Sequence, residues 1–198
     1  MTILDNLFKT IENEIHPHNG SLLISEPLLQ DHYFERAVIL LVEHDVHGSL
    51  GFVLNKRTKI VLNDFLPFIP KDENIHLYLG GPVDQSKLFF IHDLGEEVIP
   101  GCYAIGNGLY FDGDFNAMKR YIEEGGKVNG HIKFIMGYSG WNSGQLATEL
   151  NEHAWIVSEP HNLPVLKADG EGFWKDAVIN LGERFKHWVN YPKKPFMN

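Results

Sequence analysis

Ala37-Val38-Ile39-Leu40-Leu41-Val42, followed by Glu43-His44-Asp45-Val46-His47-Gly48 and then Ser49-Leu50-Gly51-Phe52-Val53-Leu54, is the stretch that decides the fold. The first run is apolar without alternation and contains β-branched residues, which predicts a strand buried on both faces. The polar run ending in Gly48 reads as a turn of about five residues, so 37–42 and 49–54 form a central antiparallel ribbon.

Strand signals recur on both sides of this ribbon. Leu22–Ser25 is a short apolar run closed by Glu26-Pro27, and Ile75, Leu77 and Leu79 alternate with His76 and Tyr78. Leu88–His92, Cys102–Ile105, Leu109–Phe111, the alternating Ile132, Phe134 and Met136, and Ala154–Val157 complete the set. Helical spacing of apolar residues predicts helices over 3–15, 114–124 (capped by Asp114 and ended by Gly125), 145–152 and 172–189. Leu62–Leu66 suits a single helical turn before Pro67 and Pro70. Strands arrive in bulk without regular strand–helix alternation, which favours α+β over a doubly wound sheet. One domain spanning 1–198 is expected, with 1–17 as a helical extension and 190–198 as an extended tail.

The chain has 198 residues, 43% of them hydrophobic and 22% charged, with a net charge of −9. That composition excludes disorder and coiled coil, and no apolar run is long enough for a membrane helix. The negative charge argues against DNA as a direct partner. The only basic clusters are Lys56-Arg57-Thr58-Lys59 and the tail lysines, and no helix-turn-helix or zinc-finger spacing accompanies them. The single Cys102 and the lack of a secretory signal pattern point to a bacterial cytoplasmic protein.

Three motifs carry candidate chemistry. Gly137-Tyr138-Ser139-Gly140-Trp141-Asn142-Ser143-Gly144-Gln145-Leu146 reads as a glycine-rich loop between a strand and a helix, with Asn142 or Ser143 as cap. There Trp141 either offers a stacking platform or plugs the core. The nucleophile-elbow pattern fails because Trp141 stands where the second glycine belongs, which leaves Ser139 and Ser143 without an identified base. Glu43-His44-Asp45-Val46-His47 holds donors a metal uses, but in a hairpin they need not converge, and no metal or cofactor is expected. Glu149 and His153 stand four apart on the helix over 145–152. Gly80-Gly81-Pro82-Val83 supplies backbone freedom followed by a stiff turn.

Taken in order, Gly20–Pro27, Phe34–His44, Gly48–Lys56, Gly80–Val83 and Gly137–Leu146, with Glu149 and Trp155, resemble the YqgE/AlgH family of bacterial proteins over about residues 20–185. The resemblance implies one α+β domain of coiled, branching, mostly antiparallel sheets. Some members carry the label of transcriptional regulator, and no catalytic residues transfer. From the motifs themselves, a cleft lined by Arg36, Glu43, His44, Asn55, Gly80, Gly81, Ser139, Trp141, Asn142 and Gln145 is expected to take an unknown small ligand or a protein partner, with Arg36 clamping a carboxylate or phosphate. The expected role is a non-catalytic, regulatory binding protein. The alternative is a hydrolase of a small anionic substrate with His44 as base, assisted by Glu43 or Glu149.

Overall fold

A computed structural model describes residue 13 and residues 15–193. The helix expected over 3–15 falls almost wholly outside these residues.

The architecture is organised by one long strand. The alternation at Ile132–Met136 predicts a short strand and then a loop; instead the strand continues through the glycine-rich motif to Asn142. Its eleven residues, Ile132–Asn142, serve three neighbours. In chain order the strands are β1 (Leu22–Ser25), β2 (Val38–Asp45), β3 (Gly48–Val53), β4 (Arg57–Val61), β5 (His76–Leu79), β6 (Val83–His92), β7 (Tyr103–Gly106), β8 (Leu109–Phe111), β9 (Ile132–Asn142) and β10 (Trp155–Ser158). The end of β9 pairs with β3, with Gly51 opposite Ser139 and Gly48 opposite Asn142. Its beginning pairs antiparallel with β6 and, on the other side, parallel with β5. The sheet order β10-β1-β2-β3-β9-β6-β8-β7 therefore forks at β9, where β5 and β4 branch off. This is a mostly antiparallel α+β fold, as the strand-heavy sequence predicts, with the branching sheets that the family resemblance implies.

Glycine makes the fork possible. β3 leaves β9 after Ser139 and β5 takes over at Met136, and Gly80 and Gly81 fill the gap. Gly80 donates its N–H to the Met136 carbonyl and accepts from Val53 N–H, both at 2.9 Å, so its backbone bridges two strands. A Cβ on Gly80 would overlap the Gly137 carbonyl oxygen and the Ile135 side chain. Gly137 turns β9 at the branch with φ 66.

The ribbon forms where expected, with corrected ends. β2 runs on to Asp45, and only Val46 and His47 form the turn instead of five residues. Asp45 Oδ1 accepts from the N–H of His47 (2.7 Å) and Gly48 (3.2 Å), an Asx turn that replaces the longer loop. Val38, Leu40 and Val42 face one apolar cluster, and Ile39 and Leu41 face another, so β2 is buried on both sides.

Among the described residues, three α-helices cover the sheets. Helix α1 (Phe115–Glu123) is capped by Asp114, whose Oδ1 accepts from Asn116 N–H (2.7 Å) and Ala117 N–H (3.2 Å). It packs Met118 and Ile122 against Phe90, Ile132 and Phe134. Helix α2 (Gln145–Asn151) lies over Leu23, Ile39 and Trp155, and α3 (Gly170–Asn180) covers the opposite face through Phe173, Trp174 and Val178. The single helix predicted over 172–189 is broken at Gly182 (φ 104), and Glu183–Asn190 is a 3-10 helix. Phe185 and Trp188 stand three apart, which suits a three-residue turn as well as an α-helix, so spacing alone does not separate the two.

The spacing also missed β4, whose Arg57-Thr58-Lys59 is charged and mostly exposed because the strand lies at an edge. At the opposite limit of the sheet, Asn13 caps β10. Its Nδ2 donates to the Trp155 carbonyl (3.2 Å) and its Oδ1 accepts from Val157 N–H (2.7 Å).

Substituting Gly80→Ala should destabilise the protein by about 2 kcal/mol or more, the usual scale for overpacking a tight site. Gly172→Ala, inside α3 with open space around the new methyl, should stabilise it by about 0.5–1 kcal/mol. Denaturant titration of the two variants checks both signs.

Candidate functional site

The ten residues of the expected cleft divide among three places. Arg36 and Asn55 share a polar groove. Gly80, Gly81 and Ser139 pack together inside the fork, where Ser139 Oγ donates to the Gly80 carbonyl at 3.0 Å. Glu43, His44, Trp141, Asn142 and Gln145 lie toward the hairpin end of β2–β3. From Ser49, which faces His44, to Asn55 the chain advances six residues, roughly 20 Å at about 3.3 Å per residue. The single cleft is therefore not assembled from all ten.

At the hairpin end the side chains hold structure. Trp141 is 6% exposed and meets Trp155 edge-to-face, with ring centroids 6.3 Å apart. Glu149 Oε2 accepts from the indole N–H of both Trp141 and Trp155 at 2.8 Å, and its Oε1 accepts from Gln145 at 3.0 Å. Glu149 thus serves two tryptophans and is not paired with His153, which lies beyond the end of α2. The cap of α2 is Gly144, not Asn142 or Ser143; Asn142 donates its N–H to Gln145 Oε1 (3.1 Å) and Ser143 Oγ donates to the Val46 carbonyl (2.7 Å). His44 Nδ1 lies 2.7 Å from Ser49 Oγ on the neighbouring strand. Both candidate nucleophiles, Ser139 and Ser143, are thus bonded to backbone carbonyls. Among the described residues, no group of three or more His, Cys, Asp or Glu side chains is arranged to hold a metal ion.

The groove at Arg36 has a different character. It encloses about 620 Å³ between the turn before β2, the start of β4 and the N-terminal turn of α3, and Lys56, Arg57, Asp169 and Glu171 line it. Asn55, 2% exposed, joins its walls: Oδ1 accepts from Val38 N–H (3.0 Å), and Nδ2 donates to the carbonyls of Arg36 and Gly170, both at 2.9 Å. Arg36 adopts φ 50, a region that costs a non-glycine residue about 1–2 kcal/mol. Its guanidinium stacks on Trp174 at 5.1 Å, donates to Glu171 and to the Tyr191 carbonyl, and leaves Nε buried without a partner. Burial alone would raise the Glu171 carboxyl, but Lys193 and Arg36 outweigh it and hold it down to about 2.

Beyond the Arg57–Asp169 ion pair (3.4 Å) lies a second cavity of about 270 Å³. It is lined from three strands by Arg57 on β4, His76 and Tyr78 on β5 and Lys133 on β9, with Asp169 opposite. The register makes this meeting: Arg57 faces Tyr78, which in turn faces Ile135, two residues along β9 from Lys133. Lys133 is 3% exposed, donates from Nζ to the Ala168 carbonyl at 2.7 Å and lies 3.2 Å from the centre of the Tyr78 ring. Burial pushes its ammonium down to about 7, against the pull of Asp169, and burial with the Asp169 charge pushes the Tyr78 phenol up to about 12. His76 Nδ1 and Asp169 Oδ1 are buried without partners. None of these five is singled out in the sequence as a site residue. The available signal was a lysine on the alternating strand Ile132-Lys133-Phe134, where a residue facing away from one apolar cluster still enters the interior.

Trp141→Ala should therefore cost stability, about 3–5 kcal/mol as for other buried aromatics, measurable by denaturant titration. Lys133 gives a pH signature. Between about 7 and its ordinary 10.5 the unfolded chain binds a proton that the folded one does not, so the lysine's burial cost is complete below pH 7 and fades as pH rises. Wild-type unfolding free energy should gain from this group over that window, and Lys133→Met should remove the gain.

A family model described as AlgH-like matches residues 22–186. A UPF0301 protein of Parabacteroides distasonis is 50% identical over the full length of both chains. The crystal structure of a Corynebacterium diphtheriae protein superposes with a TM-score of 0.76 at 22% identity, covering 96% of this chain and all of that one, a likeness of fold. The solution structure of AlgH from Pseudomonas aeruginosa gives a TM-score of 0.67 at 25% identity over 87% of this chain and 94% of that one. With a family model spanning most of its length and a relative identical at half of all positions, this chain belongs to the AlgH-like family.

Proposed function

We propose that the protein is a cytoplasmic, non-catalytic binding protein whose groove at Arg36 and Asn55 takes a small anionic ligand, a carboxylate or phosphate. The observation that carries this reading is the groove itself. In a chain of net charge −9 it gathers Arg36, Lys56, Arg57 and Lys193, and it keeps one guanidinium N–H of Arg36 without a protein acceptor. Arginine's fixed fork of donors suits planar oxyanions, and an unpaired buried donor is costly unless something accepts from it. The left-handed backbone at Arg36 supports the same reading, since such strain gathers at functional sites. Glu35, Asp169 and Glu171 on the same walls limit the positive field, which favours a small ligand over a polyanion.

The reading extends to regulation through a protein partner. A strongly acidic chain is poorly matched to the DNA backbone, so the transcriptional label of some family members is better served by a ligand that changes the groove and thereby a protein contact. The lone Cys102 suits a reducing compartment. No helix among the described residues is long and apolar enough to cross a membrane. Hydrolysis finds less support, because Glu149, one of the two expected assistants beside Glu43, is committed to Trp141 and Trp155.

Titration of the protein with inorganic phosphate and with citrate at low salt, followed by amide chemical shifts, tests the proposal. Saturable shifts at 55–58 and 169–171 are expected, and Lys56→Gln with Arg57→Gln should weaken the affinity about tenfold, the scale of a lost charge-assisted contact. Saturation elsewhere, or affinity indifferent to both substitutions, would overturn it.

A further inference from the structure

The cavity behind the Arg57–Asp169 pair has a use separate from anion binding in the groove. We infer that Lys133 is a covalent capture site for small α-oxo acids, its Nζ forming an imine with the ligand's carbonyl carbon while Arg57 receives the carboxylate.

Geometry supplies the parts. The amine, an imidazole, a phenol, a carboxylate and a guanidinium line one space of about 270 Å³, a size for a ligand of a few heavy atoms. Among the described residues, Lys133 Nζ donates to the Ala168 carbonyl and to no carboxylate. A buried lysine that stays charged is ordinarily paired with an opposite charge. The Arg57–Asp169 ion pair is long, at 3.4 Å, and a guanidinium has five donors, so Arg57 can also receive a carboxylate. His76 Nδ1 and Asp169 Oδ1, in the walls of the same cavity, are buried and without hydrogen-bond partners among the described residues.

The chemistry balances without a further reagent. The neutral Nζ lone pair adds to the carbonyl carbon, forming the C–N bond as the C=O π pair moves to oxygen. A proton passes from nitrogen to that oxygen, with His76 as carrier, and gives a carbinolamine. A second proton lets the hydroxyl depart as water while the nitrogen lone pair forms the C=N bond, and loss of the remaining N–H proton from that iminium leaves its bonding pair on nitrogen and returns the proton. The sum is amine plus α-oxo acid to imine plus water, and it reverses by hydrolysis. Burial favours the neutral amine near pH 7, whereas an exposed lysine is protonated there.

Reductive trapping tests this on the full chain. The protein is incubated with glyoxylate and sodium cyanoborohydride from about pH 6 to about pH 10, below and up to the ordinary lysine range, and labelled peptides are quantified by mass spectrometry. A short unstructured peptide added to the mixture, whose α-amine ordinarily titrates near pH 8, is the internal standard for an accessible amine. Lys133 should label at least about tenfold faster than the surface lysines at pH 7, with half-maximal rate near pH 7. Arg57→Gln should slow labelling by glyoxylate but not by acetaldehyde, which has no carboxylate, and Lys133→Arg should abolish the adduct on that peptide. Labelling confined to the added peptide and surface lysines, or a Lys133 rate that rises only toward pH 10, would overturn the inference. Because trapping reads a covalent adduct on one peptide, its failure leaves anion binding at 55–58 standing, and absent phosphate shifts leave the adduct standing.

Discussion

A backbone has one row of hydrogen-bonding groups on each side, and β9 divides its rows among three strands. β6 occupies one side of its first half and β5 the other, while β3 occupies the second half. Such a handover leaves unpaired N–H and C=O groups unless another segment bridges the changeover, since buried backbone groups are almost always satisfied. Gly80 is that bridge, with an N–H and a carbonyl turned to different strands and no room for a side chain. The motifs that look most like a ligand loop in the sequence are thus the joint of the framework. Gly80, Gly81 and Gly137 answer to backbone crowding.

Among the described residues, Arg36, His76 and Asp169, three of the four with a buried side-chain atom lacking a partner, line the concavities beside the start of α3. Asn55 satisfies three backbone groups at once, which fixes the turn before β2 against the start of α3. With that frame rigid, Arg36, Asp169 and Lys133 are held in place even where they lack partners. Two adjoining concavities result, one open and rich in charge, the other smaller and built around an interior amine. Arg57 and Asp169 form the wall between them and belong to both.

Much of the architecture was legible because burial and periodicity agree. The two-faced burial of β2 and the caps of α1 follow directly from Ala37–Val42, Asp114 and Gly125. The extension of β9 was not legible, because glycines read as a loop whether they relieve crowding in a strand or turn a chain. β4 was hidden for the opposite reason: its charges are what an edge strand carries, and they look like a solvated loop. Of the site, Arg36 and Asn55 could be picked out by residue type and position. Lys133, Tyr78, His76 and Asp169 could not, because strand pairing, not sequence proximity, unites them. Trp141, one of two open readings in the sequence, stands in the core.

Asn13 has a consequence of another kind. Its amide presents one donor and one acceptor to β10, the same pair that a single peptide unit of an added strand would present. An unoccupied border of this sort is a template on which a second molecule can extend the sheet, the first step toward aggregates. By taking the Trp155 carbonyl and the Val157 N–H in the middle of the four-residue β10, Asn13 occupies two of the backbone groups that such growth would need.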